Sequence, residues 1–92
     1  MTTIIHISTD KGYKHINCQH HAGDMRACAA ISLVSSALVD YLVSKGVTFK
    51  YHLDEGAFDI TFKGFDDVFE FVCRAYWMVA IDYPDFCKII EE

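Results

Sequence analysis

Proline occurs once in this chain, as Pro84, and glycine only five times in 92 residues. With apolar types at 52% of the composition, that scarcity excludes a disordered or linker-like protein. Basic residues are few and scattered: eight Lys and Arg stand against thirteen Asp and Glu, a net charge of −5. No basic face can form to displace counterions from phosphates, so no nucleic-acid partner is expected. Glycine-rich phosphate loops, paired catalytic carboxylates and G-x-S-x-G elbows are missing. The opening residues have neither a basic n-region nor an apolar h-region, so a cytoplasmic location is expected. The four cysteines (18, 28, 73 and 87) form no C-x-x-C pair and read as reduced thiols in that compartment. The longest apolar run, 27–43, is broken by Ser32, Ser35, Ser36 and Asp40. It reads as too short and too polar to span a bilayer, and no membrane partner is expected.

What is present is periodicity. The length suits a single domain over residues 1–92. Alternation around Ile5 and Ile7 predicts a strand from Thr3 to Ser8, and Asp10-Lys11-Gly12 a turn. Tyr13 to Gln19 completes a hairpin, with Ile16 and Cys18 turned inward and His20 on the same parity. A loop over 20–27 leads to a helix from about Cys28 to Ser44, with Ile31, Val34, Leu38, Tyr41 and Leu42 as its apolar stripe and Gly46 beyond its end. Val47, Phe49, Tyr51 and Leu53 predict a third strand, Asp54-Glu55-Gly56 a turn, and Phe58, Ile60 and Phe62 a fourth strand. A second helix is predicted from about Asp66 or Asp67 to Tyr83, stopped by Pro84, and a last short strand over Phe86–Ile90. The order ββαββαβ predicts an α+β fold, with two helices packed on an antiparallel sheet.

The second helix is apolar nearly all round. Val68, Val72, Tyr76, Val79 and Tyr83 suit one buried stripe, which leaves Phe71, Met78 and Ile81 on another side and Trp77 on a third. A homodimer covering that surplus is expected.

Chemistry concentrates between His20 and Ser32. Two histidines close a strand, a Gly23-Asp24 turn follows, and Cys28 stands at the start of a helix. The positive end of a helix dipole favours thiolate over thiol, and a histidine held nearby can take the proton and return it to a leaving group. First-turn amides can form an oxyanion hole. Ser32, one turn after Cys28, shares its helix face, while Asp24 can orient an imidazole or cap the helix. Residue types alone leave a plainer reading open, with Cys28 a small core residue and the histidines a surface pair. Cys18, His20, His21 and Cys28 also have the composition of a zinc site, but without C-x₂-C or H-x₃-H spacing, and no metal or cofactor is expected. His6, His15 and His52 are placed on a solvent face, and Cys73 and Cys87 in the core.

At this segment the chain resembles the ribosomal-processing cysteine protease family (Prp, YsxB-like). In that family a second strand ends in Gly-His-Ala, a glycine-containing loop follows, and the next helix opens on an Asp-Ile-Val-Cys-Ala-x-x-Ser type pattern. Here His21-Ala22 matches the His-Ala pair, and Cys28-Ala29-Ala30-Ile31-Ser32 matches the cysteine-to-serine spacing. The family glycine stands as His20, the connecting loop is shorter, and Met25 occupies the position of the family acid, with Asp24 one earlier. The resemblance implies a homodimeric cysteine endopeptidase that removes a short N-terminal extension from a large-subunit ribosomal protein (bL27), after a hydrophobic, aromatic-containing stretch. It implies Cys28 as nucleophile, His21 as general base and acid, and Ser32 as a supporting polar group, with Asp24 and His20 beside them. A homodimer of the same fold that only binds a peptide tail or a partner is the alternative.

Overall fold

The computed structural model describes residues 2–20, 22–54 and 57–92. His21 and the Glu55-Gly56 part of the expected turn lie outside the described residues. β1 (Thr3–Asp10) and β2 (Tyr13–Gln19) form the first hairpin, pairing Ile5 with Cys18 and Ile7 with Ile16. Lys11 and Gly12, between them, both have positive φ (52° and 84°), the backbone of a type I′ turn that matches the twist of its strands. The strict period of two puts Thr3, Ile5 and Ile7 of β1 inside, with Ile16 and Cys18 of β2. Lys14 shares that inward parity. Its stem is buried while Nζ donates to the Gly12 carbonyl and pairs with the Asp66 carboxylate.

α1 (Met25–Ser44) begins three residues before the expected start because Asp24 caps it. Lys45 and Gly46 close it, their N–H groups donating to the Tyr41 and Val43 carbonyls, with Gly46 at φ 68°. β3 (Lys50–Asp54) and β4 (Ala57–Lys63) form the second hairpin, and α2 (Asp66–Asp82) follows. Tyr83, held before Pro84, leaves helical backbone at φ −130° and ends α2 one residue before the sequence predicts. β5 (Cys87–Glu91) completes a five-stranded sheet of order β3-β4-β2-β1-β5.

The order ββαββαβ stands, with one refinement. β5 runs parallel to β1, pairing Thr3 with Cys87 and Ile5 with Ile89, whereas the other neighbours are antiparallel. The chain crosses the sheet through α2 before it returns, so it arrives at the edge of β1 in the same direction. Ile31, Leu38 and Leu42 of α1 and Val72, Tyr76 and Val79 of α2 join the inward rows of β1, β2 and β4 in one core. By length and composition α1 is long and apolar enough to cross a bilayer, contrary to the sequence reading, but here it packs as a core helix on the sheet. The outward rows carry a polar cluster: the Asp59 carboxylate accepts from Asn17 Nδ2 at 2.9 Å and lies 3.0 Å from His15 Nε2.

Candidate functional site

The end of β2 and the start of α1 meet over a cavity of about 250 Å³. His20 is exposed and has φ 72°, a left-handed backbone that costs most residues of the order of 1 kcal/mol and glycine nothing. The buried Thr3 hydroxyl donates to the His20 carbonyl at 2.9 Å and fixes this bend, which turns the chain out of the sheet. The position where the resembling family carries glycine is therefore the position where the backbone takes a glycine-like angle.

Asp24 has extended backbone and serves as the helix cap, one of the two roles expected of it. Its Oδ1 accepts from the Arg26 amide at 2.9 Å and the Ala27 amide at 3.1 Å, and its own carbonyl accepts from the Cys28 amide at 3.0 Å. The Ala27 amide foremost, with the Arg26 guanidinium and amide, holds the Asp24 carboxyl below the usual carboxylate range. This narrows the expected oxyanion hole: the amides of residues 26, 27 and 28 are already engaged by Asp24. Cys28 is the fourth residue of α1 rather than its first, still within the turn that feels the helix dipole.

Cys28 is half-buried and lines the cavity together with His20 and Ser32. The structure thus brings three of the five expected site residues to one hollow, places Asp24 at the helix cap beside it, and leaves His21 outside the described residues. Among the described residues no three of His, Cys, Asp and Glu converge as metal ligands, so the zinc reading gains no support from Cys18, His20 and Cys28.

Sequence reasoning missed the rest of the lining. Ser35, seven residues after Cys28, lies on the same helix face and reaches the cavity, a position its spacing could have revealed. Its Oγ donates to the Ile31 carbonyl at 2.8 Å, so the Tyr76 hydroxyl, also at 2.8 Å, is the donor to Ser35. This buried pair joins α1 to α2. Burial pushes the neighbouring Cys18 thiol up to about 12 and raises the Tyr76 hydroxyl as well. Cys18 is therefore a protonated, space-filling part of the cavity lining. Thr3 lies on the floor with it, and Leu53, Asp54, Ala57 and Phe58 of the second hairpin form the facing wall. Those four carry no chemical signature in the sequence and are gathered only by the β2–β4 pairing.

No protein-family model matches the sequence, and no curated protein matches it. Solved structures share its shape over nearly the full length. SMU.848 from Streptococcus mutans is 22% identical, with TM-score 0.75 over 99% of this chain and 96% of that one. The essential ribosomal processing protease Prp from S. aureus, solved with a covalently linked product peptide, is 18% identical, with TM-score 0.79 over 99% of this chain and 100% of that one. The same protease with a substrate peptide gives 14% identity and TM-score 0.81 over 99% and 100%. The chain has the fold of the ribosomal processing protease Prp.

Proposed function

We propose that this protein is a cysteine endopeptidase that trims an N-terminal extension from a large-subunit ribosomal protein of the bL27 type. The observation that carries this reading is the cavity shared by Cys28, Ser32 and His20 at the first turn of α1, in a fold held in common with a processing protease solved with peptides. In this reading Cys28 Sγ attacks the carbonyl carbon of the scissile bond, and His21 takes the thiol proton and returns it to the leaving amine. The resulting thioester is hydrolysed by water that the same imidazole deprotonates, which frees Cys28 Sγ. With the amides of residues 26–28 engaged by Asp24, the Ser32 hydroxyl is the α1 donor assigned to the developing oxyanion. No cofactor takes part.

The homodimer belongs to this proposal. Leu33, 72% exposed, and Phe71, 74% exposed, border an apolar groove of about 470 Å³ between α1 and α2, and a second copy is the cover we assign to it. A cytoplasmic setting, which keeps thiols reduced, completes the reading.

The engagement of the first-turn amides favours a second reading, a module that binds a peptide tail without cutting it. Mass spectrometry of ribosomal-protein tails incubated with the wild type and with Cys28→Ala separates the two. Cleavage by the wild type alone is expected; binding without turnover selects the second reading, and cleavage by the Cys28 variant overturns the thiol mechanism.

A further inference from the structure

We infer that the outer edge of β3 is where the substrate's backbone docks: an extended peptide adds to the sheet there, with Tyr51 and Leu53 taking its alternate side chains. This rests on the peptidase reading and specifies how the peptide is held. β3 is the outermost strand, and every residue from Lys50 to Asp54 is exposed. An antiparallel edge strand turns the N–H and C=O of alternate residues away from its neighbour, a ready template for another strand.

The register then assigns the faces. Tyr51 pairs with Ile60 and Leu53 with Phe58, so both stand on the face that carries the helices. Ile60 and Phe58 are buried there, yet Tyr51 is 52% and Leu53 51% exposed, because β3 overhangs the helices. Phe49 stacks on Tyr51 at 5.5 Å between ring centroids and lengthens the apolar strip. Leu53 and Asp54, the last residues of β3, line the same cavity as Cys28 and Ser32. The strip therefore leads into the cavity, and a strand paired with β3 is carried towards the thiol. Lys50 and His52, opposite Thr61 and Asp59, belong to the other face. Among the described residues, the hollow beside β5 at the opposite edge is a different one, lined by Ile7, Phe69, Cys73 and Glu91 and not by Cys28. Strand addition of this kind draws affinity from main-chain hydrogen bonds and selectivity from alternate side chains.

The test uses the full-length protein and a capped decapeptide with two adjacent phenylalanines at its centre. Leu53→Ser and Tyr51→Ser are each expected to raise KM about fivefold or more with kcat within about twofold, while His52→Ser and Lys50→Ser leave both within about twofold. Methylating one alternate set of the peptide's amides is expected to raise KM comparably, and methylating the other set to leave it unchanged. If the protein binds without cutting, Kd is read in place of KM. Equal effects from both rows of β3, or indifference to methylation, overturn edge docking while cleavage that depends on Cys28 leaves the peptidase reading intact. Conversion of a dimer to a monomer by Tyr51→Ser assigns the edge to a second copy and also overturns it. A peptide neither cut nor bound removes edge docking together with the reading beneath it.

Discussion

α1 borders two hollows of opposite character. Towards the second hairpin it presents Cys28, Ser32 and Ser35, a thiol and two hydroxyls, to a small cavity floored by Thr3. Towards α2 it presents Leu33, Val34, Ala37 and Tyr41 to a groove that Val68, Phe71 and Val72 complete. One helix thus separates the cavity to which the proposed cleavage is assigned from the groove to which a second copy is assigned. The division follows from the 100° rotation between residues, which sends 28, 32 and 35 to one side and 33, 37 and 41 to another. Polar atoms on the first side converge on a hollow; apolar area on the second only adds up.

The sharpest way to break this comparison is at the thiol. Cys28→Ala is expected to lower tail cleavage by about 10³-fold or more, with an unchanged circular-dichroism spectrum and no change in association. Weaker self-association in that variant than in the wild type would mean that the two sides are not separate. The converse test, Phe71→Glu, places a charge in the apolar groove. It is expected to weaken self-association by about 100-fold in analytical ultracentrifugation while native alkylation of Cys28 is unaffected.

The Ser35–Tyr76 hydrogen bond ties the cavity side of α1 to α2, and a smaller effect is expected there. Tyr76→Phe removes the hydroxyl but keeps the ring in the core, and Ser35 retains its bond to the Ile31 carbonyl. A loss of about 1 kcal/mol in denaturant unfolding is expected. A loss several times larger would mean that the pair organises the cavity wall rather than merely satisfying it. The smallest change is expected at His20. Glycine takes φ 72° without strain but has more backbone freedom to lose, so His20→Gly is expected to stabilise the fold by less than about 1 kcal/mol. A marked destabilisation in thermal unfolding would show that the imidazole, and not only the bend, holds the mouth of the cavity.

How far the sequence carried differs from place to place for physical reasons. Alternation in β1, β2 and β4 was legible because one face of each is buried, and Pro84 with Gly12 and Gly46 marked ends that backbone sterics impose. Cys28 and Ser32 were legible as a pair because helix period alone puts them together. Helix onset lies three residues before the sequence expectation, because residue type leaves Asp24 free to be either a cap or a partner to an imidazole, and only its two accepted amides set the start. Lys14 on an inward parity was not foreseen, because its burial depends on a long stem reaching Asp66, far along the chain. Tyr51 and Leu53 alternate as a buried strand should, yet are exposed. Alternation reports which face a residue takes and not whether a helix lies above it. Ser35–Tyr76 was illegible because hydroxyl pairing across 41 positions leaves no local trace.

The parallel docking of β5 has a consequence for how the fold is reached. β1 is made first, and one of its edges is filled by Cys87–Glu91, the last strand to be made. Until those residues emerge, β1 offers an open row of donors and acceptors beside Ile5 and Ile7, an invitation to any passing strand. The pairing that seals this edge of β1 thus joins residues more than eighty positions apart, and a chain short of residue 87 is expected to be more aggregation-prone than the full one.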